Sequence, residues 1–209
     1  MDVRTYVYID GFNLFYRVLK GKSGLKWLNL KELVRKILRP NCQILRIKYF
    51  TALVLPNPRD PDKHINQQTY IRAIETFIPE VEVYYGRFLE SKKRLPLVNP
   101  TTTSRSAQVL KMEEKGSDVN LGVHLVYDAC KDLYDYGVVI SNDGDLAEAL
   151  RIAKEELGKT IGVISPVYPL TYDLMEYASF YRYIRPKTLQ SSQLPNPIPN
   201  TPIRKPATW

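Results

Sequence analysis

The stretch VVISNDGDLAEAL, residues 138–150, runs from an apolar strand pattern through a polar turn into a helical pattern. Asp145 and Glu148 have the spacing of a capping box, which predicts a turn that begins a helix. The same stretch predicts a second arrangement, in which Asp143 and Asp145 lie at the carboxyl end of a strand as ligands of a metal ion. These two interpretations do not exclude each other.

Strand and helix patterns alternate on both sides of this stretch. Asn29 and Glu32 form a capping-box signature before an apolar helical repeat that Pro40 ends. The predicted strands are 5–9, 46–54, 81–88, 137–141, 160–165 and 180–184, and helices are predicted after residue 10 and at 29–38, 67–78, 118–135, 146–157 and 171–178. This alternation predicts an α/β fold with a mostly parallel central sheet covered by helices on both faces.

Residues 87–116 and the helix predicted at 118–135 differ in their charge and apolar patterns. Residues 87–116 are polar and basic, and they are predicted to be less regular. The helix predicted at 118–135 has an apolar stripe made of Val119, Val123, Val126, Cys130 and Leu133. Its acids outside the stripe are predicted to form a solvated face; they are Asp128, Asp132 and Asp135.

The composition indicates one basic globular domain. The chain has 209 residues, of which 44% are hydrophobic and 25% charged, so it can form a well-filled core and is not wholly disordered. Its formal charge of +8 predicts a polyanionic partner. Residues 186–209 contain six prolines, so we predict an extended tail without a regular helix, attached to a domain at 1–185.

Several classes of protein are disfavoured. Cys42 and Cys130 are far apart in sequence and suggest neither a disulfide framework nor a zinc site. The first residues, MDVRTYVYID, do not have the pattern of a signal peptide, and no run of about 18 apolar residues predicts a membrane span. A cytoplasmic protein without a membrane partner is therefore expected.

Four acids fall where an active site is expected. Asp10 directly follows the strand 5–9, and Asp143 follows the strand 137–141 after one intervening residue. If these parallel strands are neighbours, the two carboxylates converge. Asp118 begins the helix 118–135 and Asp145 begins the next helix, and helix capping is an equally good explanation of both.

Such a set of acids suits one kind of chemistry. Carboxylate oxygens are preferred ligands of Mg²⁺ and Mn²⁺, which lower the pKa of a bound water and neutralise charge on a phosphodiester. The sequence contains no G-x-S-x-G, P-loop or G-x-G-x-x-G motif. This combination favours a metal-activated water as the nucleophile.

Three segments together resemble the signatures of the NYN family, within the PIN-like nuclease superfamily. They are YIDGFNLFY (8–16), EEKGSDVNLGVHL (113–125) and VVISNDGDLAEAL (138–150), and the resemblance covers residues 5 to about 184. It implies a PIN-like three-layer α/β/α sandwich and metal-dependent ribonuclease activity. The positions that match the family's acids are Asp10, Asp118, Asp143 and Asp145, and Asn13 matches its asparagine.

Two residues depart from the family pattern. Asn142 stands where relatives often have glycine, and His124 stands where many have a further aspartate. These departures support an alternative, a non-catalytic RNA-binding or regulatory module with the same fold. A phosphatase built on Asp10 is a second alternative, although Phe12 occupies the position of the second acid that such enzymes need.

The sequence therefore predicts a ribonuclease that depends on Mg²⁺ or Mn²⁺. Asp10, Asp118, Asp143 and Asp145 are expected to hold the metal, with Asn13 and Ser141 orienting groups around it. The predicted substrate contacts are Ser141, Lys115, Arg94, Arg105 and His124. RNA is the expected partner and DNA stays open, as do a homodimer, common among PIN-like domains, and a regulatory protein partner.

Overall fold

The computed structural model describes residues 2–56, 60–100 and 104–209. Its strands are β1 (Val3–Asp10), β2 (Cys42–Thr51), β3 (Val81–Tyr85), β4 (Arg87–Pro96), β5 (Ser106–Lys115), β6 (Tyr136–Ile140), β7 (Thr160–Ser165) and β8 (Phe180–Tyr183). Six of them form a parallel sheet in the order β3-β2-β1-β6-β7-β8, and β4 pairs with β5 in a separate antiparallel hairpin. The predicted α/β fold with a mostly parallel sheet is confirmed.

Helices connect these strands on both faces of the sheet. They are α1 (Gly11–Leu14), α2 (Leu30–Ile37), α3 (Lys63–Phe77), α4 (Ser117–Cys130), α5 (Ala147–Arg151), α6 (Tyr172–Tyr177) and α7 (Pro186–Gln190). A π-helical turn extends both α1 and α5, and a 3₁₀ turn at Gly144–Leu146 precedes α5. Within the described residues, none of these helices combines the length and the apolar character needed to cross a membrane.

The alternation of side chains along β1 separates two cores. Val7 and Ile9 point to the core that α2 and α3 cover, whereas Tyr8 points to the core beneath α4 and α5. Because both faces of the sheet are covered, the fold has three layers. β1 lies between β2 and β6, so the chain connections diverge on either side of it and leave a crevice at the carboxyl end of β1.

The beginning of α2 follows directly from its sequence. Asn29 is the N-cap, and its side chain accepts a hydrogen bond from the backbone N–H of Glu32 over 3.0 Å. Leu30, Leu33 and Val34 are fully buried on the face of α2 that meets the sheet. The helix and its N-cap are as predicted, but the reciprocal bond of a capping box does not form, because the backbone N–H of Asn29 donates to Ser192 O and Glu32 pairs with Arg35.

The apolar stripe predicted on α4 is wrong. Val119 and Val123 are 67% and 61% exposed, whereas Leu121 and Leu125 are fully buried. The helix has two apolar faces, and the spacing of apolar residues does not show which of them is buried. The predicted stripe lies on the face that meets solvent. The buried face carries an acid, because α4 packs over a lysine of β2.

That acid is Asp128, which was predicted to be solvated and is only 1% exposed. Its Oδ2 accepts hydrogen bonds from Lys48 Nζ over 2.6 Å and from the hydroxyl of Tyr8 over 2.7 Å. A carboxylate is stable at such a position only with these partners. Asp132 is exposed, as expected, and forms an ion pair with Arg4.

The basic segment 87–116 is more regular than predicted. β4 and β5 pair along their whole length, from Arg87 opposite Lys115 to Pro96 opposite Ser106. The strand predicted at 81–88 accordingly ends at Tyr85, and Arg87 starts the hairpin. Residues 101–103 of this segment lie outside the described residues. Charged residues, five of ten in β4 and four of ten in β5, hide the apolar alternation by which strands are recognised.

The proline-rich segment 186–209 packs on the domain. It begins with α7, since a proline at the first helical position needs no hydrogen-bond partner, and the expectation that this composition sustains no helix is wrong there. Beyond α7, Leu194 and Ile198 are buried in the core beneath α2 and α3. The indole N–H of Trp27 donates to the carbonyl of Pro195 over 3.0 Å, which fixes the segment in place.

Candidate metal-binding active site

Three carboxylates converge at the carboxyl edge of the central sheet. Asp10 ends β1, Asp143 follows β6, and Asp118 lies in the first turn of α4. One carboxylate oxygen from each lies within 4.8 Å of those of the other two. Because β1 and β6 are parallel neighbours, their ends bring together acids that are far apart in sequence.

Hydrogen bonds fix the carboxylate of Asp10. Its Oδ1 accepts from the backbone N–H of Asn13 over 2.8 Å, so Asp10, and not Asn13, caps α1. Its Oδ2 accepts from the hydroxyl of Ser141 over 2.9 Å. Asp10 is only 4% exposed, and these two donors hold its side chain in one orientation.

Asn13 and Asn142 link the loops around the site. Asn13 Oδ1 accepts from the backbone N–H of Asn142 over 3.2 Å. The Asn142 side chain accepts from Thr171 N over 2.9 Å and donates to Pro169 O over 3.2 Å. Asn142, one of the two residues that depart from the family pattern, therefore holds the loop after β7 against the loop after β6.

Asp143 and Asp145 have different roles in their turn. Asp143 is the N-cap, since its Oδ1 accepts from the backbone N–H of Asp145 over 3.1 Å. The capping box predicted for Asp145 and Glu148 does not form, and Glu148 instead pairs with Arg151. Asp145 is exposed and lies outside the group of three convergent acids.

The N-terminus of α4 is also capped differently from the prediction. Asp118 was a candidate cap, but the N-cap position is occupied by Gly116 with φ 97°. Glu114 accepts hydrogen bonds from both the backbone N–H and the hydroxyl of Ser117, over 3.1 and 2.8 Å. The carboxylate of Asp118 is thereby left to face the other acids.

The site accumulates negative charge. Burial is the largest cause that raises the pKa of Asp10 to about 6, and the charge of Asp118 adds to it. Burial also raises the pKa of Asp118, followed by the charges of Asp143, Glu114 and Asp145. Among the described residues, no ion pair with a lysine or arginine includes any of the three convergent acids.

This donor set fits a hard divalent cation. Three carboxylates whose oxygens lie within 4.8 Å of one another provide the oxygen ligands that Mg²⁺ and Mn²⁺ prefer. Bound positive charge would relieve the mutual repulsion that raises the pKa of Asp10 and Asp118. The residues that would hold such an ion are Asp10, Asp118 and Asp143.

Apart from Asn13, the residues that form the walls of the site were not predicted. A cleft of about 400 Å³ surrounds the acids, and its other lining residues are Phe12, Asn13, Tyr16, Arg17, Phe88 and Glu114. Phe12 and Tyr16 have i, i+4 spacing directly after Asp10, and Glu114 precedes the Gly116–Asp118 motif. These spacings were the only features of the sequence that could have indicated lining residues. The fold is needed to show that the side chains face the acids.

The predicted substrate contacts lie outside the cleft, apart from Ser141, which is buried beneath it. Lys115 is exposed at the base of the hairpin, with Nζ 3.9 Å from Glu113 Oε1. Arg94 Nε donates to Ser106 Oγ over 2.8 Å towards the far end, where Arg105 is also exposed.

His124 packs on the buried side of α4. Its ring centroid is 4.1 Å from that of Tyr84, and its Nδ1 is 3.3 Å from Lys48 Nζ. Burial, followed by the charge of Lys48, lowers the pKa of His124. In this position the imidazole contacts the Lys48–Asp128 pair and is not among the residues that line the acidic cleft.

Comparisons with known proteins agree with this architecture. The chain is 30% identical, over 99% of its length and 75% of the relative's, to 6-hydroxy-3-succinoylpyridine 3-monooxygenase HspA of Pseudomonas putida. The fold resembles the crystal structure of a protein of unknown function from Vibrio parahaemolyticus, with a TM-score of 0.54, 14% identity, and coverage of 88% of this chain and 94% of the other. The family model of the NYN domain matches residues 4–184. The chain belongs to the NYN domain family.

Proposed function

We propose that this protein is a ribonuclease that uses Mg²⁺ or Mn²⁺ at the three convergent carboxylates. The observation that carries the proposal is the group formed by Asp10, Asp118 and Asp143, whose oxygens lie within 4.8 Å of one another. Membership of the NYN family suggests a nuclease-like function. The positive formal charge of +8 suits a substrate that is itself a polyanion.

The three acids would hold the cation, and their neighbours would keep them in place. A cation bound there would lower the pKa of a coordinated water and neutralise charge that develops on a phosphodiester. Ser141 and the backbone of Asn13 orient Asp10 through the hydrogen bonds described above. Asp145, exposed at the rim, adds negative charge beside the three acids. Attack by water on phosphorus, with departure of the 3′ oxygen, leaves a 5′-phosphate and a 3′-hydroxyl.

The hairpin of β4 and β5 would bind the phosphates of the RNA. Its pairing places Phe88 opposite Glu114 at the base, and both residues line the acidic cleft. Because side chains alternate along a strand, Lys92 and Arg94 lie on the same face of the ribbon as Phe88. This face extends from the acids as a surface with exposed cations, while Lys115 lies at the base of the opposite face.

Cleavage of end-labelled single-stranded RNA tests this function. The protein is incubated with RNA and Mn²⁺ or Mg²⁺, in parallel with samples that contain EDTA and with Asp143→Asn. The matched control is Asp135→Asn, which removes an acid at the opposite edge of the sheet, where it pairs with Arg4. Cleavage that disappears with EDTA and in Asp143→Asn, but persists in Asp135→Asn, supports the proposal.

Two other results would contradict it. RNA binding without cleavage would identify a non-catalytic RNA-binding module, the alternative that the His124 and Asn142 departures support. Cleavage that persists in EDTA and in Asp143→Asn would exclude the three acids as a metal site for this reaction.

A second candidate function comes from the relative that is named a monooxygenase. The identity of 30% spans nearly the whole chain, and an aromatic cavity lies beside the acidic cleft. Oxygen consumption in the presence of 6-hydroxy-3-succinoylpyridine and a reduced nicotinamide tests this candidate. Substrate-dependent consumption would favour it over the ribonuclease, and its absence alongside EDTA-sensitive RNA cleavage would exclude it.

A further inference from the structure

An aromatic cavity lies directly behind one wall of the acidic cleft. Phe12 and Tyr16 line both the cleft and the cavity. Their rings are nearly parallel, with centroids 6.3 Å apart and an angle of 23° between the planes. Phe88 meets the other edge of Phe12 with its ring at 85°. The part of a ligand that extends from the acids towards this wall would therefore contact the faces and edges of aromatic rings.

The cavity itself is walled by aromatic side chains. Its volume is about 60 Å³, and the rings around it are Phe12, Phe15, Tyr16, Tyr49, Tyr70 and Trp209. Tyr70 and Trp209 form adjacent walls, with ring centroids 5.8 Å apart. Planar rings at several angles around a narrow space suit a flat, aromatic occupant.

The cavity also presents a polar atom close to the acids. Tyr49 is only 8% exposed, and within the described part of the chain its hydroxyl forms no hydrogen bond. The hydroxyl lies against Gly11, the residue that follows Asp10, and this places the phenol near the acidic site. An occupant with a hydrogen-bonding ring atom would give this hydroxyl a partner.

Lysines lie beside the cavity. A neighbouring space of about 310 Å³ shares Phe15, Tyr16, Lys26, Lys63 and Trp209 with it and is also lined by Lys20, Asp60 and Asp62. Lys20 Nζ lies 4.9 Å from the centroid of the Tyr16 ring, and Lys26 Nζ lies 5.7 Å from that of Trp209. Ammonium groups held on the aromatic wall favour an occupant that carries negative charge beside its ring.

We propose that this cavity binds one base of the RNA, that of the nucleotide whose phosphate lies at the three carboxylates. This inference rests on the proposed ribonuclease function and adds the recognition of an unpaired base to it. Proteins bind single-stranded RNA by stacking its bases on aromatic side chains beside a positively charged surface. A base within a duplex is stacked and paired, so it cannot enter a cavity of this kind. The substrate is therefore single-stranded at the site of cleavage.

Binding of mononucleotides tests the inference without requiring RNA cleavage. Adenosine 5′-monophosphate and ribose 5-phosphate carry the same phosphate and differ by the base. In the presence of Mg²⁺, we expect the nucleotide to bind about 5- to 150-fold more tightly, the range that stacking of one base supplies. Titration calorimetry measures both affinities. Trp209 and Trp27 are the two tryptophans of the chain, and we expect the nucleotide to change the fluorescence of the intact protein but not that of Trp209→Phe.

Matched tyrosine variants locate the effect. Tyr16 is 47% exposed and Tyr181, on β8, is 41% exposed, so neither substitution to alanine removes a core residue. Tyr16→Ala is expected to remove most of the preference for the nucleotide over ribose 5-phosphate, and Tyr181→Ala to retain it. Equal affinities for the two ligands, or no detectable binding of the nucleotide, would overturn the inference. Tight binding of nicotinate without binding of the nucleotide would also overturn it and identify a site for small aromatic acids.

The outcome is independent of the cleavage assay. If RNA cleavage is sensitive to EDTA but adenosine 5′-monophosphate and ribose 5-phosphate bind with equal affinity, the ribonuclease proposal stands and the base site is excluded. Base-dependent binding that is lost in Tyr16→Ala, without RNA cleavage, would retain the base site and remove the ribonuclease.

Discussion

The hydroxyl of Ser141 joins Asp10 to Asp143. It donates to Oδ2 of Asp10 over 2.9 Å and accepts from the backbone N–H of Asp143 over 3.1 Å. Two convergent acids on neighbouring strands are thus positioned by one buried side chain. A hydroxyl can serve both partners because it is a donor and an acceptor.

Removal of this hydroxyl should make metal binding more sensitive to pH. In Ser141→Ala, Asp10 loses a donor that favours its charged form, so its pKa should rise above the value of about 6. More Asp10 is then protonated at pH 6.5, and Mn²⁺ affinity should fall more at pH 6.5 than at pH 8. Titration calorimetry at both pH values measures this difference. Ser165→Ala, which removes a buried serine at the end of β7, is the control, and an equal loss of affinity at both pH values would contradict the prediction.

Asp10→Asn should stabilise the metal-free protein while it abolishes cleavage. The pKa of Asp10 is raised from 3.8 to about 6, so its ionisation is less favourable in the folded state. This penalty develops as the pH rises from about 4 to 6 and is complete at pH 8. Because asparagine carries no charge, we expect the free energy of unfolding at pH 8 to increase by about 1 to 3 kcal/mol.

Urea denaturation without metal at pH 8 and pH 4 measures this effect. Most of the advantage of the asparagine variant should disappear at pH 4, where Asp10 is protonated in the folded state and only partly ionised in the unfolded state. A variant that is less stable than the natural chain at pH 8 would show that the hydrogen bonds of the carboxylate outweigh the cost of its burial.

The strands of the central sheet and the convergent acids were predictable because both depend on local sequence. An apolar strand followed by an acid, as at Asp10, identifies the edge of the sheet at which the acid lies. Asp128 was not predictable, because its burial depends on Lys48, which is 80 residues away in sequence. The aromatic wall was missed for a similar reason, since Phe12 and Phe88 meet only after the hairpin folds next to α1.

The Lys48–Asp128 pair should contribute strongly to stability. Both side chains are nearly inaccessible to solvent, and Lys48→Met would leave the Asp128 carboxylate buried with Tyr8 as its hydrogen-bond partner. Breaking a buried pair on one side typically lowers the free energy of unfolding by about 3 to 5 kcal/mol. Urea denaturation should show a smaller loss for the double variant Lys48→Met/Asp128→Asn. Lys31→Met, which breaks a partly exposed pair with Glu80, should lower stability by less than about 1 kcal/mol.

An equal loss in the single variant Lys48→Met and in the double variant would contradict this account of the pair. It would mean that the packing of the lysine side chain, and not its charge, stabilises the contact between α4 and β2.

The hairpin should contribute to RNA binding through phosphate contacts. The double variant Lys92→Ala/Arg94→Ala removes two cations from the face that continues the acidic cleft. For single-stranded RNA, the slope of log K against log salt should become less steep by about 1.4, or about 0.7 for each lost contact. Fluorescence anisotropy at several salt concentrations measures the slope. Arg39→Ala/Arg182→Ala, at the opposite edge of the sheet, should leave it unchanged, and unchanged slopes in both double variants would exclude the hairpin as the phosphate-binding surface.

Binding of Mn²⁺ tests directly whether the three carboxylates form a metal site. It is measured by electron paramagnetic resonance in the natural chain and in Asp118→Asn and Asp145→Asn. We expect the natural chain to bind Mn²⁺ and Asp118→Asn to bind it at least about tenfold more weakly. The change in Asp145→Asn should be smaller, because Asp145 lies outside the convergent group. RNA cleavage in the same samples should follow the amount of bound Mn²⁺. Unchanged Mn²⁺ binding in Asp118→Asn would contradict the claim that the three carboxylates form the metal site.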